Sequence, residues 1–83
     1  MGPVELTLYS RSGCHLCDDM KAIVAPVARE LGYALREIDI SGQPELESRF
    51  GQEIPVLLIG ARKAFKYRLT ESALRQRLRA RRE

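Results

Sequence analysis

The chain carries at residues 10–17 the stretch Ser10-Arg11-Ser12-Gly13-Cys14-His15-Leu16-Cys17, which contains both of its cysteines. An alternating apolar segment precedes this stretch and a segment with helical periodicity follows it, which predicts a strand-to-helix junction. The first turn of a helix has unpaired N–H groups and the positive end of the helix dipole, and both favour a thiolate. We therefore interpret Cys14 as an attacking sulfur and Cys17 as the sulfur that closes a disulfide onto it. A Cys-x-x-Cys pair at such a junction indicates thiol–disulfide redox chemistry.

Three other interpretations of the cysteine pair remain open. A closed zinc site needs four ligands, and the neighbouring donors are the two cysteines and His15, with Asp18 and Asp19 as weak additions, so a second chain would have to complete it. A permanent structural disulfide would close a loop that is too small to constrain the unfolded chain much. Two unrelated cysteines are the third interpretation, since free cysteine is commonly buried. The redox interpretation is favoured, and we expect no metal site.

The composition is that of one small soluble globular domain covering residues 1–83, with 45% hydrophobic and 30% charged residues. No apolar run approaches the length of a membrane span, and residues 1–9 have neither the basic nor the apolar region of an export signal. We therefore expect a cytoplasmic protein without a membrane partner.

The charge is distributed unevenly. Residues 1–61 hold five Lys and Arg against nine Asp and Glu, whereas residues 62–83 hold nine against two, which makes net charges of −4 and +7. A basic end indicates either attraction to an acidic partner or a solvated helix face. The solvated face is favoured and no nucleic-acid partner is expected, because no aromatic residues interleave the C-terminal arginines.

The periodicity predicts seven elements. They are a strand at 4–9, a helix at 15–31, a strand at 33–40, a helix at 45–50, strands at 54–59 and 64–68, and a helix from 71 to about 81. The first helix has one apolar stripe and a C-cap at Gly32, and we predict that Pro26 kinks it without breaking it.

The later elements have their own boundary signals. Pro44 suits the first position of the second helix, which Gly51 stops, and Leu46 and Phe50 form its buried pair. Residues 54–59 form a nearly continuous apolar run, as in a central strand covered on both faces. Thr70 is the predicted N-cap of the last helix, whose buried seam is Leu74 and Leu78.

This order defines a topology. The early βαβ unit requires a right-handed crossover and parallel strands, and the short connection between the last two strands requires an antiparallel hairpin. We expect an α/β fold of order βαβαββα, a mixed four-stranded sheet with helices on its faces. Cys14 would then follow the carboxyl end of the first strand, where open α/β sheets place their sites.

The same residues resemble the glutaredoxin-like branch of the thioredoxin superfamily over nearly the whole chain. The resemblance rests on Leu6-Thr7-Leu8-Tyr9-Ser10 before the Cys14-His15-Leu16-Cys17 motif, on Glu37-Ile38-Asp39-Ile40, on Pro44-Glu45-Leu46 and on Ile54-Pro55-Val56-Leu57-Leu58. It implies a thioredoxin-like fold of the glutaredoxin type. It also implies a cis Pro55 facing the disulfide and an Ile54 backbone that pairs with a bound thiol peptide.

The residues and the resemblance together define the expected site. Cys14 and Cys17 are the catalytic pair, and the Cys14 thiolate attacks a substrate disulfide before Cys17 releases the product. Arg11 and His15 are candidates to stabilise the Cys14 thiolate electrostatically and to contact the substrate. The expected partners are protein disulfides or small thiols and a thiol reductant system, and a monomer is expected.

The sequence also departs from the family pattern. Glutathione-dependent glutaredoxins carry a Gly-Gly turn followed by acidic residues, whereas residues 60–66 here are Gly60-Ala61-Arg62-Lys63-Ala64-Phe65-Lys66. This departure weakens the case for glutathione as the reductant, and no tightly bound cofactor is expected. Two alternative functions stay open: a redox-inactive binding module for an acidic partner, and a carrier of an iron–sulfur cluster bridged between two chains.

Overall fold

The computed structural model describes residues 5–82, and within them the predicted order of strands and helices is confirmed. The elements are β1 (Glu5–Ser10), α1 (His15–Leu31), β2 (Ala34–Asp39), α2 (Pro44–Phe50), β3 (Val56–Ile59), β4 (Arg62–Lys66) and α3 (Glu71–Arg82). The first strand was predicted from residue 4, which lies outside the described residues. Among residues 5–82, each helix is too short or too polar to span a bilayer.

The four strands form one mixed sheet in the order β2-β1-β3-β4. β1 pairs with β2 in parallel and with β3 antiparallel, and β3 pairs antiparallel with β4. Tyr9 near the end of β1 is the register partner of Val56 at the start of β3. The loop that follows β1 and the residues that precede β3 therefore lie at the same end of these two central strands.

The main core lies between the sheet and the helices α1 and α3. Its buried members are Leu6, Leu8, Met20, Val24, Val27, Ala28, Leu57, Ile59, Leu74 and Leu78. α1 supplies four of them, and three of these, Met20, Val24 and Val27, belong to the predicted stripe, because residues at intervals of three and four share one face of a helix. α1 is continuous through the exposed Pro26. It ends as predicted at Gly32, which has φ +79° and donates its N–H to the oxygen of Ala28.

A second, smaller core lies on the opposite face of the sheet, beneath α2. Ile40, Phe50 and Val56 are buried there, and Leu46 packs against them. The ring of Phe50 stacks on that of Tyr9 with 4.4 Å between centroids. Both faces of β1 and β3 are covered, so the prediction of a central apolar strand is confirmed. Its predicted start at residue 54 is two residues too early, because β3 begins at Val56.

The C-terminal hairpin differs from its prediction in position. β4 begins at Arg62 and ends at Lys66, two residues earlier at each end than expected. The reason is a two-residue turn: Ile59 pairs directly with Arg62, and Gly60 takes φ +63°, which a glycine adopts without a steric penalty. The hydroxyl of Thr70 accepts the N–H of Ala73 at 3.1 Å, so the predicted N-cap of α3 is confirmed.

Candidate active site

Both cysteines lie at the N-terminus of α1 and are joined in a disulfide. Cys14 is the N-cap residue, with the extended angles φ −92° and ψ 112°, and Cys17 lies in the first turn of the helix. Their Cα atoms are 5.2 Å apart, within the ordinary range for a disulfide. The interpretation of two unrelated cysteines is therefore wrong.

The two sulfurs have different surroundings. Cys17 faces the core and only 2% of its surface is exposed, whereas Cys14 is only partly buried. The backbone N–H of Cys17 donates to Sγ of Cys14 at 3.1 Å. An incoming sulfur compound can thus reach Cys14, and the helix N-terminus directs a hydrogen-bond donor at the same atom.

The two residues predicted to aid the thiolate lie on either side of Cys14, and neither role is tested by the structure. His15 is exposed as the first residue of α1. Arg11 forms an ion pair with Glu47, so its guanidinium ties the loop before Cys14 to α2. Both roles stay predictions.

Ile54 and Pro55 lie at the same edge of the sheet as the cysteine loop, because they precede β3. The peptide bond between them is cis, as the resemblance implied. Pro55 is buried and its oxygen accepts the N–H of Tyr67 at 2.9 Å. Among the described residues, no main-chain hydrogen bond outside the regular elements engages Ile54.

Tyr67 is a candidate site residue that the sequence analysis missed. It has φ +68°, an uncommon conformation for a bulky side chain, and 45% of its surface is exposed. Its hydroxyl donates to the oxygen of Gln52 at 3.1 Å. Together with residues of α1 it lines a cleft of about 140 Å³ whose other walls are Leu16, Asp19, Met20, Ile23, Arg68 and Leu69. Nothing in the local sequence signals a positive φ at a tyrosine.

A second cleft, of about 300 Å³, opens on the side of α1 that faces β2. We call it the Cys17 cleft, and it is lined by Ser10, Arg11, Ser12, Gly13, Cys17, Asp18, Glu37 and Asp39. Two hydrogen bonds hold the Asp39 carboxylate, from the Ser41 N–H and the Ser12 hydroxyl, each at 2.8 Å. Because these bonds stabilise the charged form, they hold the pKa of Asp39 below its ordinary value. The meeting of Asp18 with Glu37 and Asp39 in this cleft was not predicted, since Asp18 lies in α1 and the other two lie in β2.

Comparison with known proteins places this geometry in a family. The glutaredoxin-like domain family (DUF836) matches residues 5–79. An uncharacterized protein of Mycobacterium tuberculosis is 30% identical over 80 residues, which cover 90% of this chain and 82% of the relative.

Solved structures agree with that assignment. The X-ray structure of the protein XcR50 from X. campestris is 35% identical, with a TM-score of 0.72, and the match covers 90% of this chain and 96% of that one. A thioredoxin from Halobacterium salinarum shares the fold at 21% identity, with a TM-score of 0.68 over 95% of this chain and 74% of that one. The chain therefore belongs to the glutaredoxin-like domain family (DUF836), and it shares its fold with thioredoxins.

Proposed function

We propose that this protein is a dithiol–disulfide oxidoreductase that exchanges disulfides with protein or low-molecular-weight thiols through Cys14 and Cys17. The observation that carries the proposal is the asymmetry of the pair at the start of α1. Cys14 is only partly buried and its Sγ accepts a backbone N–H, whereas Cys17 is buried one turn later. This arrangement favours a thiolate at the outer sulfur and keeps the inner sulfur for the second step.

The reaction has two balanced steps. The Cys14 thiolate attacks one sulfur of a substrate disulfide, a mixed disulfide forms, and the other substrate sulfur leaves with the electron pair and takes a proton. Cys17 then loses its proton and attacks Sγ of Cys14, which releases the second substrate thiol. The substrate disulfide gains two electrons, and the cysteine pair is oxidised to the disulfide seen in the structure.

Substrate contacts are assigned to residues around Cys14. The Ile54 backbone is available to pair with an extended peptide at the edge of the sheet, beside Pro55. Arg11 and His15 flank Cys14 in the sequence, and we assign to them the supply of cationic or polar groups to the substrate. We further propose a cytoplasmic monomer that holds no tight cofactor and draws electrons from a thiol reductant system.

Trapping the mixed disulfide tests the assignment of roles. The reduced Cys17→Ser variant is mixed with a peptide disulfide, and a covalent adduct through Cys14 should accumulate because the second step is blocked. The Cys14→Ser variant is the matched control and should form little adduct, since its remaining thiol is buried. Accumulation in Cys14→Ser with none in Cys17→Ser would contradict the assignment.

The electron donor requires a separate measurement. The oxidised protein is incubated with either glutathione or a thioredoxin-reductase system, and the thiols formed are counted over time.

The reduction potential of the cysteine pair is a second measurement. We expect a reversible couple between about −270 and −200 mV, the range from thioredoxin to glutaredoxins. A pair that shows no reversible couple there would instead indicate the redox-inactive binding module.

A further inference from the structure

A groove lies between the strand β4 and the helix α3, away from the cysteine pair. We call it the α3 groove; it has a volume of about 330 Å³ and is lined by Ile59, Arg62, Ala64, Arg77 and Ala80. Ile59 is the register partner of Leu6 near the start of β1, whereas Cys14 follows the end of that strand. The groove therefore lies toward the opposite end of the sheet from the disulfide.

The two arginines of the α3 groove carry charge that the neighbouring residues do not neutralise. Arg62 and Arg77 are exposed, and neither takes part in an ion pair among the described residues. Lys63 and Lys66 on the same strand differ, because both pair with the carboxylate of Glu53. The groove thus holds uncompensated positive charge beside apolar side chains, which favours an anionic occupant.

The strand that borders the groove is open on its outer side. β4 is the last strand of the sheet and pairs with β3 on one side. The main-chain groups on the other side of an edge strand can pair with an added strand. The opposite edge strand, β2, is a poorer template for an acidic segment, because it carries the exposed carboxylates of Glu37 and Asp39.

The geometry favours a protein segment over a nucleic acid. Proteins that bind single strands stack the bases on aromatic rings. The ring of Phe65 is partly buried, and the guanidinium of Arg77 lies over it at 6.0 Å from its centre. An extended peptide needs no such ring. It presents every second side chain to the same face, so acidic residues at alternate positions would meet the two arginines.

We infer that the α3 groove is a docking site for an acidic protein segment, which adds to the open side of β4 as an extended strand. The carboxylates at alternate positions of the segment pair with Arg62 and Arg77. This docking goes beyond the proposed disulfide exchange and requires neither cysteine. Because the groove lies away from Cys14, a docked partner leaves the disulfide free to react.

Peptide binding measured by fluorescence anisotropy at physiological salt tests the docking. The probe is a short labelled peptide in which glutamate alternates with alanine. The control peptide has proline in place of each alanine, which keeps every carboxylate but removes half of the backbone N–H groups and disfavours strand pairing. We expect the control peptide to bind about tenfold less tightly, since hydrogen bonds to β4 are lost.

A pair of double variants tests the role of the two arginines. Arg62→Gln/Arg77→Gln should weaken binding of the alternating peptide by about fivefold to twentyfold, as expected for two exposed charge pairs. Arg68→Gln/Arg79→Gln is the matched control, because it removes the same charge from two exposed arginines outside the groove. It should have a clearly smaller effect. Arg62→Gln alone should lose part of the affinity, which provides a second test if the double variant does not fold.

Hydrogen exchange locates the bound peptide. Amides of β4 should exchange more slowly when the alternating peptide is added, and amides of β2 should not change. Protection of β2 instead of β4 would overturn the inference.

Other outcomes would also contradict the docking site. Equal losses in the two double variants would indicate general electrostatic attraction, and equal binding of the proline peptide would exclude strand addition. A single-stranded thymidine oligonucleotide that binds more tightly than the peptide and loses affinity in Arg62→Gln/Arg77→Gln would indicate a nucleic-acid site. Cys14→Ser/Cys17→Ser should bind the peptide as the wild type does, so a failure of disulfide exchange is distinguishable from a failure of docking.

Discussion

Replacing Gly51 by alanine tests how α2 ends and how it is tied to the cysteine loop. Gly51 caps α2 with the ordinary helical angles φ −55° and ψ −29°, and its N–H donates to the oxygen of Glu47 at 2.8 Å. A Cβ atom built there would lie 2.5 Å from that same backbone oxygen and 3.4 Å from the guanidinium of Arg11. Such a contact is too close to persist, and rotating a side chain cannot relieve it because the oxygen belongs to the main chain.

Two opposing effects determine how much Gly51→Ala changes the free energy of unfolding. At an ordinary helical φ, alanine in place of glycine stabilises a protein by about 0.4–1 kcal/mol, because the unfolded chain loses freedom. Overpacking against an unyielding neighbour costs about 1–3 kcal/mol. The overlap with the backbone oxygen is severe, so the second effect should dominate. We expect Gly51→Ala to lower the free energy of unfolding by about 1–2 kcal/mol and Tm by roughly 5–10 °C, as expected for a domain of this size.

Urea unfolding followed by circular dichroism measures this change, and two variants serve as controls. The double variant Glu47→Ala/Gly51→Ala should not recover the stability, because the clash is with the main chain of residue 47. Gly32→Ala should lower the free energy of unfolding for a different reason, because Gly32 has φ +79°. Gly32→Asn should lower it less, since asparagine tolerates that conformation. A Gly51→Ala protein as stable as the wild type, or more so, would refute the reasoning.

Two further predictions concern α3 and its contacts. Thr70→Ala removes the hydroxyl that accepts the Ala73 N–H and should cost about 1 kcal/mol in urea unfolding, whereas Thr70→Ser should retain most of the stability. The hydrogen bonds from Arg75 hold the pKa of Glu30 below its ordinary value of 4.5, so their contribution to stability is present above that pH and is lost as the pH falls below it. Glu30→Gln should therefore lose less stability than the wild type on acidification below about pH 4.5, as measured by urea unfolding at a series of pH values.

Much of the fold could be predicted because its signals are local. The apolar periodicity of α1, the C-cap at Gly32 and the N-cap hydroxyl of Thr70 each depend on residues about one helical turn apart, and both caps lie at the predicted residue. The order of strands and helices follows from the same kind of signal. The spacing and position of the cysteines also predicted that they would meet at the start of a helix.

Other features of the site depend on residues that are far apart in the sequence. Ser10 and Glu37 are 27 residues apart, and Arg11 and Glu47 are 36 apart, and only the pairing and packing of the elements brings each pair together. The sequence predicted that α2 ends at Gly51, but the close approach to the backbone of Glu47, which admits no Cβ, is visible only in three dimensions.

The sequence by itself determined the elements, their order and the place of the cysteine pair, because periodicity, caps and turns act between residues a few positions apart. The tertiary structure alone decided which sulfur is buried, that Tyr67 takes a positive φ over the Pro55 segment, and that Glu37 bonds to the Ser10 hydroxyl in the cleft beside Cys17. Those outcomes depend on strand register and helix packing. These are set by the whole core at once, so no local stretch of the sequence contains them.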